Sequence, residues 1–363
     1  MKICYLADIN SAHTKKWCNY FLATGNEVHV ISLHNGELEG IKVHSLEIDT
    51  SLAKVEKSHR KLGYLNKIKK VREIINDIQP DILHAHYASS YGLLGALSNY
   101  HPYVVSLWGS DILLFPKEGL IQREIIKYNL RKADRVFSTS KYMMEEANNY
   151  TNKKIDITPF GIDLSIFNNR NIRKDDELVI GIVKSLEKIY GIDYLINAFS
   201  ILLRKYPQYN IKLKILGEGT QKRALEKLAE DLSISERVEF LESRDLIGVS
   251  DFYNEIHIGV FPSLSESFGV TILEAQACGV PVVVSDIKAF YESTIPGETS
   301  LICKVKDVDS IVEALENILL NKDLYISMSK KAEQFVKENF DINKIFKRIE
   351  LIYEEIVKDN DNN

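Results

Sequence analysis

Cysteine is scarce and scattered. Cys4, Cys18, Cys278 and Cys303 are the four in 363 residues, and no two form a CxxC pair. This excludes a disulfide framework and a zinc-ribbon pattern and points to a reducing compartment. Long apolar runs are missing as well: nothing approaches the roughly 18 residues of a membrane-crossing helix. The opening MKICYLADIN is broken by Asp8 after one short run, so it does not read as a secretory leader. The expected location is the cytosol, at most on a membrane surface. Neither charge dominates, and a net charge of −5 rules out a chain basic throughout and generic coating of nucleic acid. There is no short-period repeat and no low-complexity tract. The first strand carries no glycine fingerprint and Gly217-Glu218-Gly219 lacks the third glycine, which disfavours a nicotinamide enzyme.

What is present is an ordinary globular balance, 45% hydrophobic and 27% charged, in a chain long enough for two or three domains. Charge is uneven, +4 over residues 1–170 and −9 over the rest, so the two halves are expected to meet different partners. Short β-rich runs at 2–7, 27–33, 81–86, 103–107 and 135–139 alternate with amphipathic helical stretches. The pattern resumes at 178–183, 211–216, 237–241, 257–261 and 280–284. Such alternation predicts an α/β chain with two parallel, doubly wound sheets, helices on both faces of each. A Pro/Gly turn and a polar run at 159–176 mark the boundary, placing 1–165 in the first domain and 172–341 in the second. A last helix over 342–357 carries an apolar stripe that belongs against a core and can cross back to the first domain. Two such domains facing each other would leave a cleft lined by the carboxyl ends of both sheets, where ligands of this class of sheet bind.

The most informative stretch is residues 261–285, FPSLSESFGVTILEAQACGVPVVVS. It predicts a buried strand, a polar loop, and a helix from about Phe268 to Cys278. Glu266 precedes the helix and Glu274 lies inside it; eight helical steps would span roughly 12 Å, about the reach from sugar to ribose in a nucleotide-sugar. Between them the free N–H groups of the first turn, around Ser267, Phe268, Gly269, Val270 and Thr271, suit a diphosphate. A lone glutamate pair more often caps and decorates a helix; here the surrounding ESFG…LEAQACGVPVV argues for ligand binding.

This segment resembles the retaining glycosyltransferases of GT-B architecture, family four, whose signature is two glutamates separated by seven residues. The resemblance covers nearly the whole chain: KICYLADINSAHTKKW is similar to the family's opening strand, loop and helix, TPFGIDLSIF to its interdomain segment, and KLKILGEGTQKRALEKLAEDL to its strand, glycine loop and helix. It implies two Rossmann-like domains and transfer of a hexosyl or related sugar from a nucleotide-diphosphate donor to a saccharide or lipid-linked acceptor. The implied reaction retains anomeric configuration and needs no metal and no cofactor, and polysaccharide or glycolipid synthesis of the cell envelope is the expected setting. Glu274 is expected on the ribose, Glu266 with Ser267, Phe268 and Gly269 near the transferred sugar, and the Val270 and Thr271 amides at the phosphate. Uridine is favoured over guanosine as the donor base, with base contacts near Glu242–Asp245, Arg244 among them. Other GT-B chemistry, such as a nucleotide-sugar epimerase or a phosphorylase, and a non-catalytic sugar-binding protein are the alternatives.

Two departures from the family pattern stand out. At the usual Gly-Arg-Leu…Lys-Gly phosphate clamp this chain reads VKSLEKIYG, with Ser185 at the arginine position and Tyr190 at the lysine position. One or both of Lys184 and Lys188, in the same loop as Ser185, are expected to neutralise the diphosphate as point charges, with Gly217 in the neighbouring glycine loop. In SLWGSD, Trp108 stands where many relatives have histidine, so it is expected to pack on a sugar face or fill the cleft wall; Asp111 is either a ligand-side carboxylate or part of a cap. His13 follows the first strand and is a candidate catalytic group. His84 and His86 share one side of a strand without a convincing third metal ligand, so they are expected to face the cleft or bond within the core. Eight Lys or Arg lie between Lys54 and Arg72, and a second basic stretch covers 117–132. They form either a solvated face or a patch for anionic lipid headgroups.

Overall fold

The computed structural model describes residues 1–47, 58–173 and 177–361. The chain divides into two compact units, Met1–Phe160 with Lys344–Asn363, and Gly161–Asn343. In the first unit, β1 (Lys2–Leu6), β2 (Glu27–Ser32), β3 (Lys42–Ser45), β4 (Ile82–His86), β5 (Tyr103–Leu107), β6 (Arg135–Ser138) and β7 (Ile155–Ile157) form one parallel sheet of order β3-β2-β1-β4-β5-β6-β7. The inner strands ILHAH and YVVSL are buried at every position, as strands covered by helices on both faces must be. The last helix, Ile342–Asp361, serves this unit from Lys344 on. Phe346 lies 5.3 Å from Trp17 and stacks on Tyr20 at 4.7 Å, and Tyr353 stacks on Phe21 at 5.2 Å.

The second unit holds β8 (Leu178–Val183), β9 (Ile211–Leu216), β10 (Val238–Leu241), β11 (Ile258–Phe261), β12 (Val282–Ser285) and β13 (Ser300–Cys303), again parallel, in the order β10-β9-β8-β11-β12-β13. Strand order reverses direction between β1 and β4 in one sheet and between β8 and β11 in the other. At the carboxyl ends of those strands the connecting loops part and leave room for a ligand. The strands that sequence periodicity misses are β3, β7 and β13. Each has at most four residues and closes an edge of its sheet, so none makes a sustained apolar run.

One expected element is shorter than its sequence suggests. The helix predicted from Phe268 runs over Val270–Ala277, because Gly269 sits in the left-handed region at φ +99° and serves as its N-cap. Among the described residues no helix is long and apolar enough to cross a membrane.

Candidate active site

In the second unit, three loops gather residues from distant parts of the chain. Lys184, just beyond β8, pairs through Nζ with the Glu266 carboxylate in the loop after β11. Their side chains are 11% and 13% exposed, so the pair is nearly dry and each charge holds the other in place. The Lys184 ammonium also lies 4.7 Å from the centre of the Tyr190 ring, a cation–π contact. The Leu264 N–H donates to the Ile189 carbonyl at 2.8 Å, fixing the Glu266 loop on the 188–190 turn. Gly217 is what lets the third loop approach: at φ +149°, an added Cβ would sit 2.0 Å from the Lys184 carbonyl oxygen. Leu186 and Glu218 then bond backbone to backbone at 2.8 Å. The glycine loop that fails as a dinucleotide fingerprint is thus a brace for Lys184.

The helix Val270–Ala277 begins four residues after Glu266. Its first N–H groups, Val270 and Thr271 among them, have no acceptor inside the helix and carry its positive end. A side chain at Gly269 would be tight, with Ser293 Oγ 3.0 Å from where a Cβ would be, and strained at φ +99°. Phe268 is buried, while Ser267 is half-exposed. Glu274, 7% exposed, lies further along the helix near Tyr253, whose phenol donates to the Thr271 carbonyl at 2.9 Å. Burial, reinforced by the Glu274 charge, pushes the Tyr253 hydroxyl well above its ordinary pKa, so it stays a donor. The eight-step helical ruler between the glutamates does not hold. Only the four steps from Val270 to Glu274 are helical, roughly 6 Å of rise, because the left-handed Gly269 turns the chain before them. Ser185, Lys188 and Arg244 are exposed, and of the two lysines it is Lys184 that pairs with Glu266.

The first unit places its candidates unevenly. His13 is in the opening turn of the helix Ala12–Ala23 rather than in a loop, stacked on Phe160 at 3.8 Å and edge-on to Trp108 at 5.7 Å. Burial first, then Lys16, lowers its pKa to about 4, so it is neutral at pH 7. His84 is buried and both ring nitrogens are engaged, Nδ1 with the Tyr353 hydroxyl and Nε2 with Ser106 Oγ at 2.8 Å. That leaves His84 no nitrogen for a metal or a ligand, and the cleft-facing alternative is corrected to a core one. Asp111 is also fully buried. Its carboxylate accepts from the Ala88 N–H at 2.7 Å and the Gly109 N–H at 2.8 Å, with Trp108 N–H at 3.2 Å. It therefore shapes the loop that carries Trp108 instead of meeting a ligand.

A pocket of about 370 Å³ does open in this unit, at the ends of β1 and β4. Trp108 and His86 line it, their rings 4.4 Å apart; Leu33 and His34 line it too, together with Asp8, Ser11, Thr14, Tyr87, Ser90 and Tyr91. None of these last six stood out in the sequence. The available signal was positional: Asp8, Ser11 and Tyr87 directly follow the carboxyl ends of strands flanking the switch point.

Two family models match the chain, "Glycosyl transferase 4-like" over residues 2–140 and "Glycosyl transferases group 1" over 165–335. N-acetyl-alpha-D-glucosaminyl L-malate synthase of Bacillus anthracis is 25% identical over 81% of this chain and 79% of its own. D-inositol 3-phosphate glycosyltransferase of Corynebacterium urealyticum is 34% identical over 43% of this chain and 38% of its own. Among solved structures, sucrose-phosphate synthase from Thermosynechococcus elongatus superposes with a TM-score of 0.83 at 17% identity, over 98% of both chains. Anabaena HepE, solved with UDP, gives 0.80 at 16% identity over 98% of this chain and all of its own. The chain has their two-domain GT-B fold and belongs to the family-four, group 1 glycosyltransferases.

Proposed function

We propose that this glycosyltransferase moves a sugar, with retention of configuration, from a nucleotide-diphosphate donor to a hydroxyl of a saccharide or lipid-linked acceptor, in the making of envelope polysaccharide or glycolipid. The observation that carries this reading is the Lys184–Glu266 pair with the open start of the helix Val270–Ala277, four residues after Glu266. A departing diphosphate gains negative charge, and a nearly dry ammonium held by Glu266, together with the first-turn amides of the helix that follows Glu266 in sequence, are groups suited to meet that charge. Groups fixed in advance stabilise it without reorganising. When the donor enters, its phosphates compete with Glu266 for Lys184. Glu266 is then free to accept hydroxyls of the transferred sugar, and Glu274 has the burial of a group that binds ribose hydroxyls.

The neighbours support the donor class: HepE has also been solved with UDP-glucose. Capsular polysaccharide biosynthesis glycosyltransferase CapM of Staphylococcus aureus, 27% identical over 52% of this chain and 48% of its own, supports the envelope setting. The reading includes attachment to an anionic membrane surface through residues 54–72. Of that run, residues 54–57 lie outside the described residues, Arg72 is bonded to the Leu97 carbonyl and Lys70 to that of Ser45, and Lys69 is exposed. The deciding assay measures nucleoside diphosphate released from a panel of nucleotide-sugars. Release that requires an acceptor is expected; conversion of the donor to an epimer with no acceptor present would replace transfer with isomerisation.

A further inference from the structure

Resting on the transfer reading, we propose that Tyr190 is a positioning residue: its ring face holds the Lys184 ammonium without neutralising it, and keeps that charge available to the donor diphosphate once Glu266 turns to the sugar. The two partners of Lys184 differ in kind. Glu266 binds the ammonium as a counter-charge, in a pair whose side chains are 11% and 13% exposed. While it does so, the pair presents little net charge to an anion. The Tyr190 ring, centred 4.7 Å from the same nitrogen, attracts a cation through its quadrupole and brings no negative charge of its own. A lysine released by its carboxylate is a charge on a flexible four-carbon stem. Against the ring it has a fixed seat.

The backbone around Tyr190 holds the ring in place. The Leu264 N–H donates to the Ile189 carbonyl at 2.8 Å, the Thr220 N–H to the Glu187 carboxylate at 2.8 Å, and the Gln221 N–H to the Leu186 carbonyl at 2.9 Å. Gly191, the next residue, is in the left-handed region at φ +64°, where a Cβ would press on the Pro262 carbonyl oxygen. The segment 186–191 is thus fixed by the glycine loop after β9 and by the loop after β11. Tyr190 itself is half-buried, and among the described residues none hydrogen-bonds its hydroxyl, so the ring face is the part in use. Burial first, then the charges of Glu266 and Glu187, raises the pKa of that hydroxyl, so the phenol stays neutral. A lysine at this position would set a second ammonium near Lys184, and like charges in a nearly dry site oppose each other.

A double-mutant cycle tests this, with UDP, GDP and ADP binding read by calorimetry and the matching nucleosides read by saturation-transfer NMR. The proteins are the unaltered chain, Tyr190→Phe, Tyr190→Leu, Lys184→Gln, and the double variant of Lys184→Gln with Tyr190→Leu. The diphosphate that binds the unaltered chain is expected to hold its affinity within about twofold in Tyr190→Phe and to lose about tenfold in Tyr190→Leu, as loss of one desolvated cation–π contact would. Its nucleoside should bind Tyr190→Leu and the unaltered chain equally, and Tyr190→Leu should cost nothing further once Lys184 is glutamine. A merely structural role would weaken nucleoside and nucleotide alike and would persist in the Lys184→Gln background. Either result, or Tyr190→Phe as weak as Tyr190→Leu, would overturn the inference. Should Tyr190→Leu not fold, lysine-selective 13C NMR on the unaltered chain decides. The Lys184 ε-methylene, assigned by its loss in Lys184→Gln, is expected upfield of the other lysines through the ring's shielding, and to stay there with the diphosphate bound; its return to the ordinary position on binding would sink the proposal. Nucleotide binding indifferent to Tyr190→Leu would remove the role of Tyr190 alone, whereas an unaltered chain that binds none of the three diphosphates would remove the transfer reading beneath it.

Discussion

Glu266 and Glu274 come from one stretch of sequence, yet their surroundings differ, and so should their kinetics. Glu266 is tied to Lys184, so Glu266→Gln leaves that ammonium without its counter-charge and, in the proposed mechanism, the transferred sugar without a carboxylate. We expect kcat to fall about 100-fold with donor KM little changed. Glu274→Gln should instead raise donor KM about tenfold, as loss of a charged hydrogen bond to ribose would. Unchanged steady-state kinetics in both variants would refute the donor site. Two histidines make a pH prediction. His84 and His13 have pKa values lowered to about 3 and about 4, mainly by burial, against an ordinary 6.5. Between those values the unfolded chain binds protons that the folded one does not, so stability is full above pH 6.5 and declines toward pH 4 and below. His84→Asn should flatten that decline in urea titrations run from pH 7 to pH 4; an unchanged slope would show that His84 is not a source of it.

At the scale of elements, glycines decide where helices and loops can go. Gly269 ends the loop that carries Glu266 and starts the helix that carries Glu274, and Gly217 lets one loop lie on the carbonyl of another. Both positions look unremarkable as letters, since a glycine's meaning depends on the φ the fold imposes. The edge strands were illegible for a related reason: β3 is half-exposed and β7 has three residues, so neither shows a sustained pattern. The final helix is the opposite case. Its apolar stripe was plain in the sequence, and it packs Phe346 and Tyr353 among Trp17, Tyr20 and Phe21. Phe346→Ala should lower unfolding free energy by about 3–4 kcal/mol, since Phe346 is 4% exposed. Urea titration checks this, and a loss under 1 kcal/mol would mean the helix contributes little to the core of the first unit.

For the whole molecule, the testable consequence is ligand linkage. UDP at 100 times its Kd should stabilise the protein by about 2.7 kcal/mol, and GDP at the same concentration by less. Hydrogen exchange should slow in the second unit, at residues 184–191 and 264–272; protection elsewhere alone would move the donor site. Chelation by EDTA should leave the transfer rate unchanged, because amides and Lys184 answer the diphosphate charge in the proposed mechanism. Sedimentation with anionic and neutral vesicles tests the membrane surface, and equal binding to both would dismiss it.

Periodicity and motif spacing were enough to determine that the chain alternates strand and helix in two parallel sheets, and that Glu266 and Glu274 belong to one loop-and-helix segment. Both follow from local rules, side-chain period and turn chemistry, which neighbouring residues express among themselves. Pairings across the chain were not legible. Lys184 lies 82 positions from Glu266, and His84 is 269 from Tyr353. No local pattern records such distances, because they arise when parallel strands set their carboxyl ends side by side. The same packing removed Asp111 and His84 from the candidate ligand contacts and put Asp8, Thr14 and Ser90 around a pocket, since burial and hydrogen-bond satisfaction are properties of the assembled fold.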